Sequence, residues 1–176
     1  MKKILISVLF LLNTTVWAHN IGEYFQGGII FWIDELSEHG LIAAVDDQGI
    51  DVPWFNDNYS ITHTVRDGIF AGKYNTAHII DVQGAPIKNY AAQIANSYRG
   101  GGYDDWYLPS RSELNLMFKN KDIIGGFNLS LNNKYWSSTE YPANPLLGVC
   151  VQSFKENHQF VSLKENLSNV RAIRSF

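Results

Sequence analysis

Only one cysteine, Cys150, stands in the 176 residues. No intramolecular disulfide can form, so covalent cross-links contribute nothing to stability. Cys150 lies in the apolar run Leu146-Leu147-Gly148-Val149-Cys150-Val151, the setting of a small buried hydrophobe. Beyond residue 18 no apolar run approaches the roughly 20 residues that cross a bilayer, and no membrane span is expected. A surplus of positive charge is also missing: 14 Lys and Arg face 17 Asp and Glu, for a net charge of −3. That balance argues against general nucleic-acid binding. Internal repeats and low-complexity tracts are absent as well. What the chain has instead is aromatic side chains, 14% of its residues, so its stability has to come from packing.

The beginning of the chain reads as an export signal. Lys2 and Lys3 precede an apolar run from Ile4 to Leu12 that only Ser7 interrupts, and Val16-Trp17-Ala18 ends on a small residue. This is the pattern of a signal peptide over residues 1–18, cut after Ala18; the alternative is a buried N-terminal helix. No cysteine adjoins the cut, which excludes a lipid anchor at a new N-terminal cysteine. Residues 19–176 then form a single domain of a size that supports a core, secreted, at the cell surface or in the periplasm. Its charge is uneven: residues 19–98 carry ten acidic and three basic side chains, residues 99–176 seven and nine.

Apolar runs at Ile21–Phe25, Gly28–Asp34 and Leu41–Val45 predict a lead-in strand and a hairpin, nearly continuous in apolar residues and so covered on both faces. Asp46 to Ser60 is polar and aromatic and reads as an ordered loop. Asn75-Thr76 could cap a short helix running to Ile80. Ile87, Tyr90, Ala91, Ile94, Ala95 and Tyr98 recur at helical spacing, and Gly100 ends that helix. Four strands are predicted at the C-terminal end: Lys134–Tyr141, Leu146–Phe154, His158–Leu163 and Val170–Phe176, with a turn at Lys155-Glu156-Asn157. The expected class is α+β, with mixed or antiparallel sheets and about two helices.

The stretch from Gly100 to Leu114, GGGYDDWYLPSRSEL, organises the rest. Trp106, Tyr107 and Leu108 favour a strand, and Pro109 ends it. Ser110 with Glu113 three residues on forms a capping box, so a helix should begin at Arg111 and bury Leu114, Met117 and Phe118. A cation in a helix's first turn gains nothing from the dipole; Arg111 is therefore expected to pair with Asp104 or Asp105. Trp106 and Trp136, each inside an apolar block, are expected in the core.

Four ordered blocks carry a resemblance: Gly27–Asp34 with His39–Ala44, Gly100–Leu114, Tyr135-Trp136-Ser137-Ser138-Thr139-Glu140-Tyr141, and Val170-Arg171-Ala172-Ile173-Arg174-Ser175-Phe176. In order and spacing, over nearly all of residues 19–176, the chain resembles the bacterial family of the C-terminal domain of the Legionella collagen-like adhesin. The resemblance implies a C-type-lectin-like fold, placement outside the cytoplasm, a homotrimer, and adhesin-like recognition of host or surface glycans, sulfated glycosaminoglycans among them.

Candidate ligand-binding residues follow from the chemistry such a ligand needs. Cations that pair with sulfates are available at Arg99, Lys119, Lys121, Lys134, Arg171 and Arg174. Arg171 and Arg174, three apart in a strand, should face opposite sides. Trp54 and Tyr59, in the polar loop, are the aromatic side chains best placed to be exposed. No cofactor is expected; calcium, through Asp46, Asp47, Asp51, Asn56 and Asp57, is the open alternative, although their spacing fits no EF-hand loop. Hydrolysis is the less favoured activity. Ser110, Ser137 and Ser138, with His39, His63, His78 and His158, supply the residue types, but no nucleophile-elbow pattern surrounds these serines. A non-enzymatic binding module is expected, with a domain that oligomerises without binding sugar as the alternative.

Overall fold

The computed structural model describes residues 19–85 and 88–176. The expected signal peptide, residues 1–18, and Ile87 of the expected helix lie outside the described residues. Strands β1 (Tyr24–Phe25), β2 (Gly28–Ile33), β3 (Gly40–Ala44) and β4 (Gly49–Val52) are followed by helices α1 (Ala71–Gln83), α2 (Ala91–Ser97), α3 (Arg111–Lys119) and α4 (Lys121–Ile124). Strands β5 (Tyr135–Glu140), β6 (Gly148–Ser153), β7 (His158–Leu163), β8 (Ser168–Val170) and β9 (Ile173–Ser175) complete the order. The class is α+β, with four helices among the described residues rather than two.

Two sheets form, ordered β1-β2-β3-β9 and β4-β8-β5-β6-β7. All pairings are antiparallel except β5 with β8. The expected single strand at Val170–Phe176 is instead two short ones. β8 pairs with β4 and β5, whereas β9 pairs with β3. Arg171 and Ala172 carry the chain from one sheet to the other.

The central hairpin is covered on both faces, as its continuous apolar pattern requires. Ile42 and Ala44 of β3 pack into a cluster containing Trp54, Trp106 and Trp136. Leu41 and Ala43 pack into a second cluster with Tyr107, Leu114, Met117, Phe154 and Ile173. Gly27 and Gly101 both adopt positive φ, and a Cβ on Gly27 would lie 2.6 Å from Gly100 C and Gly101 N. Only glycine allows the two backbones to approach so closely.

Three local expectations change. The lead-in strand shortens to Tyr24–Phe25, and the polar loop after β3 contains β4. Asn75 and Thr76 do not cap a helix; they are buried inside α1. The Thr76 hydroxyl accepts from Leu108 N at 3.0 Å and donates to Leu108 O at 3.2 Å. A helix side chain therefore supplies the hydrogen bonds that a neighbouring strand would give. For that reason Trp106-Tyr107-Leu108 is an extended segment with one ladder contact, Tyr107 to Ile173, and not a full strand.

Trp106 is 1% exposed, and its Nε1 donates to Gly100 O at 3.1 Å. Trp106→Ala should lower the unfolding free energy by about 3–5 kcal/mol. Urea denaturation measures this, and a loss under ~1.5 kcal/mol would remove Trp106 from the core account.

Candidate functional site

Much of the residue chemistry singled out in the sequence is consumed inside the fold. Ser110 caps α3 and Glu113 completes the box. The same Glu113 carboxylate also accepts from Phe70 N at 2.8 Å, Gly72 N at 3.1 Å and Tyr107 Oη at 3.1 Å. It thus serves the N-terminal ends of both α1 and α3, where a negative charge is favoured. Burial, the largest influence, pushes the Glu113 carboxyl above its ordinary range against these hydrogen bonds. Gly72 is required for this contact, since a Cβ there would lie 2.4 Å from Glu113 Oε2.

Arg111 does not pair with Asp104 or Asp105. Its Nε donates to Asp67 at 3.0 Å, and Ser112 N donates to the same carboxylate at 2.7 Å. Asp67 caps the first turn of α3 and so brings its charge to Arg111. Asp105 is already occupied: Arg174 Nε donates to it at 2.7 Å, and the guanidinium lies 3.9 Å from the Tyr103 ring centroid.

Arg171 and Arg174 do turn to different partners, but both are buried. Arg171 donates to Asp47 at 2.7 Å and to the carbonyls of Ala44, Val45, Gly125 and Gly126, with the Phe127 ring beside it. Asp47 also accepts from Tyr135 Oη at 2.9 Å and Asn169 Nδ2 at 3.3 Å. Burial raises the Tyr135 hydroxyl to about 12. A guanidinium so engaged and only 1% exposed is not accessible to a sulfate.

Of the remaining cations, Arg99 is exposed and donates to the carbonyls of Asn96 and Tyr98. Lys119 is exposed on α3. Lys121 pairs with Asp122 at 2.9 Å, and Lys134 lies 5.3 Å from the Phe160 ring centroid.

Trp54 is fully buried, not exposed. Its Nε1 donates to Ser137 O, and its ring lies 4.7 Å from Lys164 Nζ. Lys164 in turn pairs with buried Glu140 at 2.6 Å, and Glu140 accepts from Thr62 N and Thr64 N. Burial holds the Lys164 ammonium below its ordinary range, despite the facing carboxylate. The ring thus forms part of the cover over an internal charge pair. Tyr59 is 41% exposed and donates to Glu165. Ser137 and Ser138 are buried and donate to Cys150 O and Pro109 O.

Of the five oxygen-bearing residues expected for calcium, three are engaged with other partners. Asn56 bonds to Gln83 and Ala85, Asp57 pairs with Lys88, and Asp47 is committed to Arg171. Among the described residues no group of three or more His, Cys, Asp and Glu gathers in a metal-holding arrangement.

A cleft of about 440 Å³ lies open to solvent between the segment after β3 and helix α2. Asp46, Asp47 and Gln48 line one wall; Asn89, Gln93, Ile94, Ser97 and Tyr98 line the other. Its volume falls within the ordinary range for small-ligand sites, roughly 300–1,000 Å³. The walls offer amide, hydroxyl and carboxylate groups around one tyrosine ring, and no cationic side chain. Gln93 Nε2 donates to Ser97 Oγ at 3.0 Å, while its Oε1 is buried and has no partner among the described residues. Tyr98 packs edge-on against Trp106 at 4.9 Å, so the cleft wall stands directly on the core. In the sequence Asp46 and Asp47 stand out only as calcium candidates. Nothing in the sequence marks Asn89, just before α2, or Gln93 and Ser97 on it, because polar residues on or beside the open side of an amphipathic helix look alike whether or not a wall faces them.

No family model matches the chain, and no curated protein matches it.

Burial pushes the Asp105 carboxyl upward, but the hydrogen bond and charge of Arg174 outweigh it and leave Asp105 below its ordinary range. A carboxylate depressed in the folded state adds stability above its unfolded pKa of about 3.9, and loses it as pH falls through the folded value. Thermal unfolding between pH 5 and 2 should therefore show a shallower acid decline for Asp105→Asn than for the wild type; parallel declines would contradict the assignment.

Proposed function

We propose that residues 19–176 form an exported, non-enzymatic binding module of C-type-lectin-like fold that recognises hydroxyl-rich glycans. The observation that carries this reading is the open cleft between the Asp46–Gln48 segment and α2, with its hydrogen-bonding side chains around Tyr98. Hydroxyl-rich ligands need such groups to fix their orientation and a ring face to cover their apolar side. The family resemblance is consistent with the role its residues play here. Gly27 allows a backbone contact, Trp106 and Trp136 build the core, and Arg171 and Arg174 hold it together. These are positions on which a fold depends, whichever ligand is bound.

The cleft favours a neutral ligand over a sulfated one. Asp46 and Asp47 line it, no cationic side chain does, and the two arginines that could have answered a sulfate are buried and engaged with Asp47 and Asp105. One observation favours the second reading, a domain that oligomerises without sugar. Among the described residues β7 pairs only with β6, and Val161 and Leu163 on it are exposed. An edge strand of this kind is able to take up another chain.

Screening the purified domain against a glycan panel, followed by calorimetry on the best neutral ligand, tests the proposal. Gln93→Ala combined with Ser97→Ala should weaken that ligand by about tenfold or more, equivalent to ~1.4 kcal/mol, and leave thermal stability nearly unchanged. Retained affinity in the double variant, or binding to sulfated ligands alone, would reject the cleft. A trimer in light scattering that binds no glycan would favour the second reading.

A further inference from the structure

Cleavage after Ala18 would leave His19 as the first residue, with a free α-amino group. An N-terminal histidine is a chelator, because its α-amine and its ring Nδ1 close a six-membered ring on a single metal ion. In this fold the same nitrogen, Nδ1, already faces a carboxylate: it stands 3.2 Å from Glu23 Oε1 and 3.3 Å from Glu23 Oε2. Donors about 2.0–2.1 Å from one ion are separated by roughly 2.8 Å at a right angle and 3.3 Å at a tetrahedral angle. The His19–Glu23 separation falls within the span a shared ion would set.

The ring is also held in place. It packs 4.0 Å from the Phe25 ring centroid and 5.3 Å from that of Phe176. Glu23 is fixed by Asn20 N, which donates to Oε2 at 3.1 Å. The carboxylate thus lies against the first peptide unit, next to where the new amine would be. A count of side chains alone does not reveal this arrangement, because one of the three donors is created by processing.

We propose that the processed protein binds one divalent transition-metal ion at its N-terminus, through the His19 α-amine, His19 Nδ1 and the Glu23 carboxylate. Two nitrogens and one oxygen favour copper(II) over nickel and zinc, following the usual order of divalent affinities. Metal binding at such donors competes with protons. The proposal rests on the export reading, and a failure of that reading is detected separately, as a different first residue.

The test uses the exported protein. N-terminal sequencing should give His19 first; any other first residue overturns the proposal. Calorimetry with copper(II) alone should show one tight equivalent, with nitrogen coupling in the electron paramagnetic resonance spectrum of the loaded protein. Acetylating the α-amine breaks the chelate and should weaken that equivalent by about tenfold or more, the loss expected when an intramolecular second contact is removed. His19→Ala should abolish it, and Glu23→Gln should weaken it. Unchanged affinity after acetylation or in Glu23→Gln overturns the site, including the case in which another histidine holds the copper.

Discussion

The buried carboxylate of Glu113 is the constraint on which the arrangement of helices and sheets depends. A charge placed out of water is tolerated only when its oxygens are fully engaged. Here they receive main-chain donors at the starts of two helices and a tyrosine hydroxyl. The carboxylate therefore does more than end one helix properly. It sets the distance between α1 and α3, and it requires a glycine at position 72 so that the backbone can come close enough. Tyr107, its fourth donor, is also the residue whose backbone bridges to Ile173. Helices and the first sheet are fixed to each other through this one group.

The second junction lies where the chain passes between sheets. β8 belongs to one sheet and β9 to the other, and Arg171 sits at the step between them. Its guanidinium gathers the carbonyls at the end of β3 and in the glycine turn after α4, while Asp47 balances its charge. Asp47 is also part of the cleft wall. One side of the cleft is therefore anchored to the place where the two sheets meet, which gives the candidate site a rigid floor. A preformed wall spares a ligand the cost of ordering it.

Legibility from the sequence followed the range of the interaction. Short-range signals were sufficient where neighbours in the chain decide the outcome. The Ser110–Glu113 box gave the start of α3 to the residue, and Lys155-Glu156-Asn157 marked the turn between β6 and β7. The unbroken apolar pattern of Leu41–Ala44 revealed a strand covered on both faces. Side chains whose partners are remote in sequence were read less well. Nearby acids are the expected partners of Arg111, yet it meets Asp67, 44 positions away. Trp54 sits in a polar segment and nevertheless lies buried over Lys164, which pairs with Glu140. Arg171 and Arg174 looked like surface cations because nothing local marks a guanidinium for burial. The cleft was not visible at all, since its two walls come from segments that only the fold brings together.

His19 and Phe176 touch, ring against ring, so the first and last described residues end at one place on the surface. The two ends of the described chain therefore lie side by side. Whatever is fused to either end emerges beside the other, and force applied through both would bear on that spot and not along the length of the sheets.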